Sequence, residues 1–255
     1  HATSKQKYAD KKLGALLDKK AVSRQALLGM LDDLERTIKK LRWRAKGTQW
    51  HDYYEEDKNN YKSESMMHKA ALVETFLKKT GAQTVWDIGA NTGYFSAIAV
   101  KTGADVLAFD HDYGALETNY RDVTSKKEKK LLPLFFDMTT PTPAVGWENK
   151  ERLSLFERGP ADAVLALALM HHIAISHNVP FSYLASAFAK MGKYLIIEFV
   201  DKEDSQVQIL LANRKDIFTQ YSQKDFEKAF EAFFVIRQAT PIKDSKRVLY
   251  LMEKR

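Results

Sequence analysis

Apolar positions along the 255-residue chain follow one period and then another. Between residues 23 and 44, Leu27, Leu28, Leu31, Leu34, Ile38 and Leu41 recur at helical spacing, and Ser23 stands where an N-cap belongs. The spacing predicts an amphipathic helix ending near Arg44, ahead of Gly47. Residues 1–22 are basic and weakly patterned and read as loosely helical, while residues 47–62 (GTQWHDYYEEDKNNYK) are aromatic and polar without periodicity. A second helix is predicted from Ser63 or Ser65 to about Lys79, closed by Gly81.

From Thr84 onward, short apolar runs alternate with helical stretches. Strands are predicted at 84–88, 105–110, 131–137, 162–169 and 193–199, and helices at about 92–102, 113–122 and 181–191. The alternation argues for an α/β, doubly wound, mostly parallel sheet covered on both faces. Helices follow near 204–214 and 222–233. The runs VIRQATPI and RVLYLME, separated by KDSK, then predict a C-terminal antiparallel hairpin.

Composition narrows the class. A hydrophobic content of 45% with 11% aromatic residues is that of a folded globular chain. The longest apolar run, AVLALALM, suits one buried strand and falls short of the roughly 18 residues needed to span a membrane. No cysteine is present, which excludes disulfides, thiolate metal sites and cysteine nucleophiles. The net charge of +7 mildly favours an acidic or nucleic-acid partner, although a lysine-rich surface is the preferred explanation. The first residues lack the pattern of a secretory signal, and a cytoplasmic location is expected. The chain starts with His rather than Met, as a tag remnant or a piece of a longer protein would.

The candidate chemistry begins at TVWDIGANTGYFS, residues 84–96. In an open parallel sheet, ligands bind beyond the carboxyl ends of the strands. Gly89 and Gly93 allow a tight strand-to-helix turn with close backbone approach, and Asp87 ends the strand. The next strand, DVLAFD, ends in Asp110, where an acid can hold the two hydroxyls of a ribose. The spacing D-x-G-x-x-x-G differs from the G-x-G-x-x-G that cradles a pyrophosphate, and suits a nucleoside with a cationic tail.

These residues resemble the class I S-adenosylmethionine-dependent methyltransferases. Asp87-Ile88-Gly89-Ala90-Asn91-Thr92-Gly93 matches their first motif, Asp110 their ribose acid, and Asp137 in LFFDM their third-strand acid. Asn91 departs from the glycine that many members carry. The resemblance implies S-adenosyl-L-methionine as cofactor, held by Asp87, Gly89, Asn91, Gly93, Asp110, His111, Asp137 and Met138. The segments LRWRAKGTQWHDYYEEDKNNY, TPAVGWENKERLSLFERGPADAVLALALMHHI and EFVDKEDSQVQILLANRKDIF further resemble a bacterial group related to a nodulation protein, many of whose members carry an extra N-terminal half. The expected organisation is a helical extension with an aromatic linker over 1–60, packing on a methyltransferase domain over 61–255.

Methyl transfer needs alignment of donor and acceptor and a place for the acceptor's proton. ALALMHHIAISH places His171 and His172 beyond the fourth strand, where either could serve as base. Alternation along a regular strand sends the two side chains opposite ways, so that one enters the cleft and the other bonds within the fold. Position favours His171 for the cleft. A metal held by His171, His172 and His177 lacks carboxylates at ligand spacing, and no metal is expected. The aromatic-polar tetrad of many base and amide N-methyltransferases is missing at this strand end. Glu198 and Asp201, after the fifth strand, are candidates for a substrate amine or hydroxyl, with surface solvation favoured for Asp201. Tyr53, Tyr54 and Tyr61 could cover the cleft, Tyr61 touching substrate, or could simply pack on the sheet edge. Lys69 could meet a cofactor carboxylate, but reads first as a helix-surface lysine. The sum is a methyltransferase acting on oxygen of a small molecule or glycan. RNA as acceptor, and an inactive cofactor-binding partner module, are the alternatives.

Overall fold

The computed structural model describes residues 22–43, 63–212 and 214–255. The aromatic linker, with Tyr53, Tyr54 and Tyr61, and the boundary expected near residue 60 lie outside the described residues. The chain divides into two units, His1–Arg44 and Ala45–Arg255. In the first, helix α1 (Arg24–Lys40) is capped as expected: the Ser23 side chain accepts the Ala26 N–H at 3.1 Å. The helix stops short of Arg44 because Leu41 turns to an extended conformation (φ −59°, ψ 128°). Its apolar stripe, Leu27 to Ile38, is exposed.

The second unit opens with α2 (Ser63–Thr80) and continues as β1 (Thr84–Ile88), α3 (Tyr94–Lys101), β2 (Asp105–Asp110), α4 (Tyr113–Lys126) and β3 (Leu131–Phe135). A short helix α5 (Leu155–Arg158) precedes β4 (Ala161–Ala166), then come α6 (Phe181–Met191), β5 (Gly192–Val200), α7 (Ser205–Ala212), α8 (Gln223–Glu231), β6 (Phe234–Pro241) and β7 (Arg247–Lys254). The seven strands lie in the order β3-β2-β1-β4-β5-β7-β6. The first five are mutually parallel; β7 runs antiparallel to β5 and to β6, forming the expected hairpin with an irregularity between Ile236 and Gln238.

Strands buried on both faces explain the unbroken apolar runs that the sequence shows. One face of the sheet (Trp86, Ile88, Val164, Leu195, Ile197) packs with Leu184 and Phe188 of α6 and Phe226 and Phe230 of α8. The other (Val85, Val106, Leu165, Ile196) packs with Val73, Phe76 and Leu77 of α2 and Phe95 and Ala99 of α3. The chain moves outward from β1 to β3 and then returns to the opposite side of β1 as β4. That reversal leaves a crevice between the carboxyl ends of β1 and β4, where open α/β sheets bind ligands. No helix among the described residues is long and apolar enough to cross a membrane.

Two predicted strands end early. β3 stops at Phe135, and Asp137 instead folds its Oδ1 onto the N–H (2.8 Å) and hydroxyl (2.7 Å) of Thr139. β4 stops at Ala166, because Ala168 adopts a left-handed backbone (φ 50°) and donates its N–H to Glu198 Oε2 at 2.8 Å. The chain then winds into a π-helical turn, His172–Ser176.

Candidate functional site

The turn after β1 is built from left-handed residues: Gly89 (φ 77°), Asn91 (φ 51°) and Gly93 (φ 85°). The N–H groups of Gly89 and Ala90 both donate to the Phe109 carbonyl, at 2.8 and 2.9 Å, tying the turn to the end of β2. Asn91 accommodates its strained backbone by accepting the Thr92 N–H on its own Oδ1 at 2.8 Å. A Cβ at Gly93 would lie 2.6 Å from the Asn119 side chain, so only glycine fits there.

The turn aligns two acids. Asp110 Oδ2 accepts the Asn91 N–H at 2.7 Å and Oδ1 accepts the Asp112 N–H at 2.8 Å. Burial nevertheless raises its pKa. Asp87 is 2% exposed and accepts the Ser96 hydroxyl at 2.6 Å; burial, with Asp110 adding to it, pushes its pKa up to about 7. Lys69 of α2 faces them. It is not on the surface as its residue type suggests: it is buried, with Nζ 2.5 Å from Glu198 Oε2 and 4.8 Å from the centre of the Phe95 ring. Burial lowers its pKa, against the pull of Glu198.

These residues line an open cleft with a cavity volume of about 240 Å³. Asp87, Gly89, Ala90, Asn91, Asp110 and His111 form one side; Leu167, Ala168, Leu169, His172, Ser176 and His177 form the other; Met66, Lys69, Phe95 and Leu210 complete it. A Cβ at Gly89 would approach Leu169 Cδ1 to 3.1 Å, so glycine keeps this narrow part of the cleft open.

The histidine assignment reverses. With β4 ended at Ala166, strand alternation no longer governs the pair. His171 is buried, with Nδ1 lacking a hydrogen-bond partner among the described residues, and it does not line the cleft. His172 does line it, its ring 4.1 Å from that of His171. Burial lowers both pKa values, that of His172 to about 4, with Arg247, His111 and His177 adding to the effect. Both imidazoles are therefore neutral at pH 7.

Glu198 also differs from its expected role. It is fully buried and absent from the cleft wall, and it accepts bonds from Lys69, the Ala168 N–H and Arg247 (Nη1 to Oε1, 3.3 Å). It holds the β4 exit loop rather than a substrate. Asp201 caps a turn, accepting the Glu203 N–H at 2.8 Å. Asp137 and Met138 lie apart from the cleft lining, Met138 packing against the core. Partial burial of Asp137 is outweighed by its bonds from Thr139 and Thr140, which hold its pKa below the usual value.

Sequence reasoning did not single out Ser96, Ser176 or Leu210, and it put the surface reading of Lys69 first. For Lys69 a signal existed: it falls on the stripe Met66-Lys69-Val73-Phe76, the face that α2 buries. Among the described residues, no group of three or more His, Asp or Glu side chains is arranged to hold a metal ion.

Comparison with known proteins agrees with the topology. The nodulation protein NoeA of Rhizobium meliloti (strain 1021) is 38% identical over 197 residues, which cover 77% of this chain; the chain spans only 41% of NoeA's length. The magnesium protoporphyrin IX methyltransferase ChlM from Synechocystis PCC 6803, solved with bound SAH, superimposes with a TM-score of 0.53 over 81% of this chain and 93% of its own, at 13% identity. The bifunctional kinase-methyltransferase WbdD superimposes with a TM-score of 0.50 over 86% of this chain and 46% of its own, at 15% identity. No protein-family model matches the chain. The chain has the class I methyltransferase fold, with its mostly parallel seven-stranded sheet and C-terminal hairpin, and is a sequence relative of NoeA over most of its own length.

Proposed function

We propose that the protein is an S-adenosylmethionine-dependent methyltransferase that methylates a hydroxyl of a small molecule or glycan. The observation that carries this reading is the convergence of Asp87, Gly89, Asn91, Asp110 and Lys69 on one cleft at the β1/β4 switch point. The donor set fits the cofactor. Asp110, already oriented by two backbone N–H groups, retains lone pairs for ribose hydroxyls. Asp87 supplies a buried anion for the cationic end, and Phe95, Leu167 and Leu169 supply apolar wall. When bound, the cofactor supplies an activated methyl group on a sulfonium.

In this reading His172, on the cleft wall, receives the acceptor's proton. A pKa near 4 makes it a weak base that is neutral at pH 7. That suffices for a hydroxyl: as the new C–O bond forms, the oxygen becomes strongly acidic, and the proton leaves late. The apolar residues of the cleft wall help hold the acceptor in line. A cytoplasmic setting belongs to the same proposal, as do a helical extension and linker over 1–60 ahead of the methyltransferase domain.

The +7 charge favours RNA as the second reading of the acceptor. Incubating the protein with methyl-labelled S-adenosylmethionine and fractionated bacterial extract tests the proposal. Label in small-molecule or glycan fractions supports it; label confined to RNA selects the second reading, and no transfer to any fraction contradicts both.

A further inference from the structure

We infer that the apolar stripe of α1 is a dimerisation seam whose partner is the same helix of a second copy of this chain. Leu27, Leu31, Leu34 and Ile38 follow one another at steps of four, three and four residues, and Leu41 continues the repeat at the C-cap. That is the 3.5-residue repeat with which two helices interlock their side chains in a left-handed supercoil. Leu28 and Met30 flank the seam in its first turns. Every seam position from Leu27 to Leu41 is apolar, so a copy of the helix presents a self-complementary surface.

The helix needs a cover. With a glycine in its interior (Gly29) and no buried residue, α1 lacks the packing from which most helices of this length draw their stability. Its seven apolar side chains from Leu27 to Leu41 are 49–68% exposed. Pairing them with the same residues of a second helix removes on the order of 1,000 Å² from water, the size at which a specific interface begins. The polar positions carry Asp32 and Asp33 as well as Arg36, Lys39 and Lys40, and Lys39 pairs with Glu35 at 2.5 Å. A helix that lies on an anionic membrane or on RNA needs a predominantly basic polar face. This mixed one belongs in water beside a partner helix.

Sedimentation equilibrium of the full chain from about 1 to about 100 µM tests this. The wild type should pass from monomer to dimer as concentration rises. The double variant Leu31→Asp/Leu34→Asp, which places charges in the middle of the seam, should raise the dissociation constant more than about 100-fold. Both positions are exposed in the single chain, so the substitutions leave its core intact. Asp33→Ser, off the seam, should dimerise as the wild type does. A wild type that stays monomeric throughout, or a dimer that persists unchanged in the double variant, overturns the inference. With a monomeric wild type, two further readouts say what covers the stripe instead. A melting temperature lowered by the double substitution assigns it to a contact within one chain. Cosedimentation with phosphatidylglycerol vesicles, lost in the double variant, assigns it to lipid. The methyltransferase reading is untouched by any of these outcomes.

Discussion

Asp87 combines two demands that oppose each other. Its burial raises its pKa to about 7, and its position suits a cationic ligand, which needs the carboxylate ionised. Binding an α-ammonium group should therefore expel a proton from Asp87 at mildly acid pH. Affinity for S-adenosylhomocysteine is expected to rise between about pH 5.5 and about pH 7 and then level off. The binding heat should depend on the ionisation enthalpy of the buffer in the same interval. Asp87→Asn should remove both effects; a pH-independent affinity in the wild type would contradict the assignment. Stability carries the same signature in the free protein. Between the ordinary value of 3.8 and about 7, the folded state holds a proton at Asp87 that the unfolded chain has lost, so this group's contribution to stability declines as pH rises through that window. His172 acts with the opposite sign. Its pKa falls from 6.5 to about 4 on folding, so its contribution is complete above pH 6.5 and is lost as pH falls toward 4.

At the scale of elements, the proposed function draws chiefly on two connections, β1 to α3 and β4 to α6. In the first, Gly93→Ala would place a Cβ against Asn119 on a backbone with φ 85°, and is expected to cost about 2–4 kcal/mol, read as a lower melting temperature. A wild-type melting temperature would show that the turn relaxes. In the second, His172→Ala should lower turnover about 100-fold or more once an acceptor is in hand, with S-adenosylhomocysteine affinity nearly unchanged. His171→Ala should instead leave a cavity and lower stability by about 2 kcal/mol or more. Near-wild-type turnover in the His172 variant would remove the base and leave positioning alone. The β1 turn was legible in the sequence because glycine and acid spacing reports backbone geometry directly. The β4 exit was not: its apolar run continues through Leu169, but a hydrogen bond from Ala168 to Glu198, 30 residues away, ends the strand at Ala166. That long-range bond decides which histidine faces the cleft. The burial of Lys69 escaped for a related reason, since its partner Glu198 lies 129 residues further on.

For the whole molecule, the +7 charge is the feature that separates the two acceptor readings. If the acceptor is a small molecule or glycan, binding to mixed single-stranded RNA should be weak, with a shallow dependence on salt. A tight complex whose affinity falls steeply with salt, as when several phosphates are neutralised together, would favour RNA. Relatedness to NoeA leaves the acceptor open, because this chain spans 41% of that protein. The central claim concerns the cleft itself and can be tested without an acceptor. Calorimetric titration with S-adenosylhomocysteine should show one site, and Asp110→Ala should weaken binding by about 1.5–3 kcal/mol through loss of hydrogen bonds to a charged carboxylate. No binding by the wild type, or equal affinity in the Asp110→Ala variant, would contradict the account.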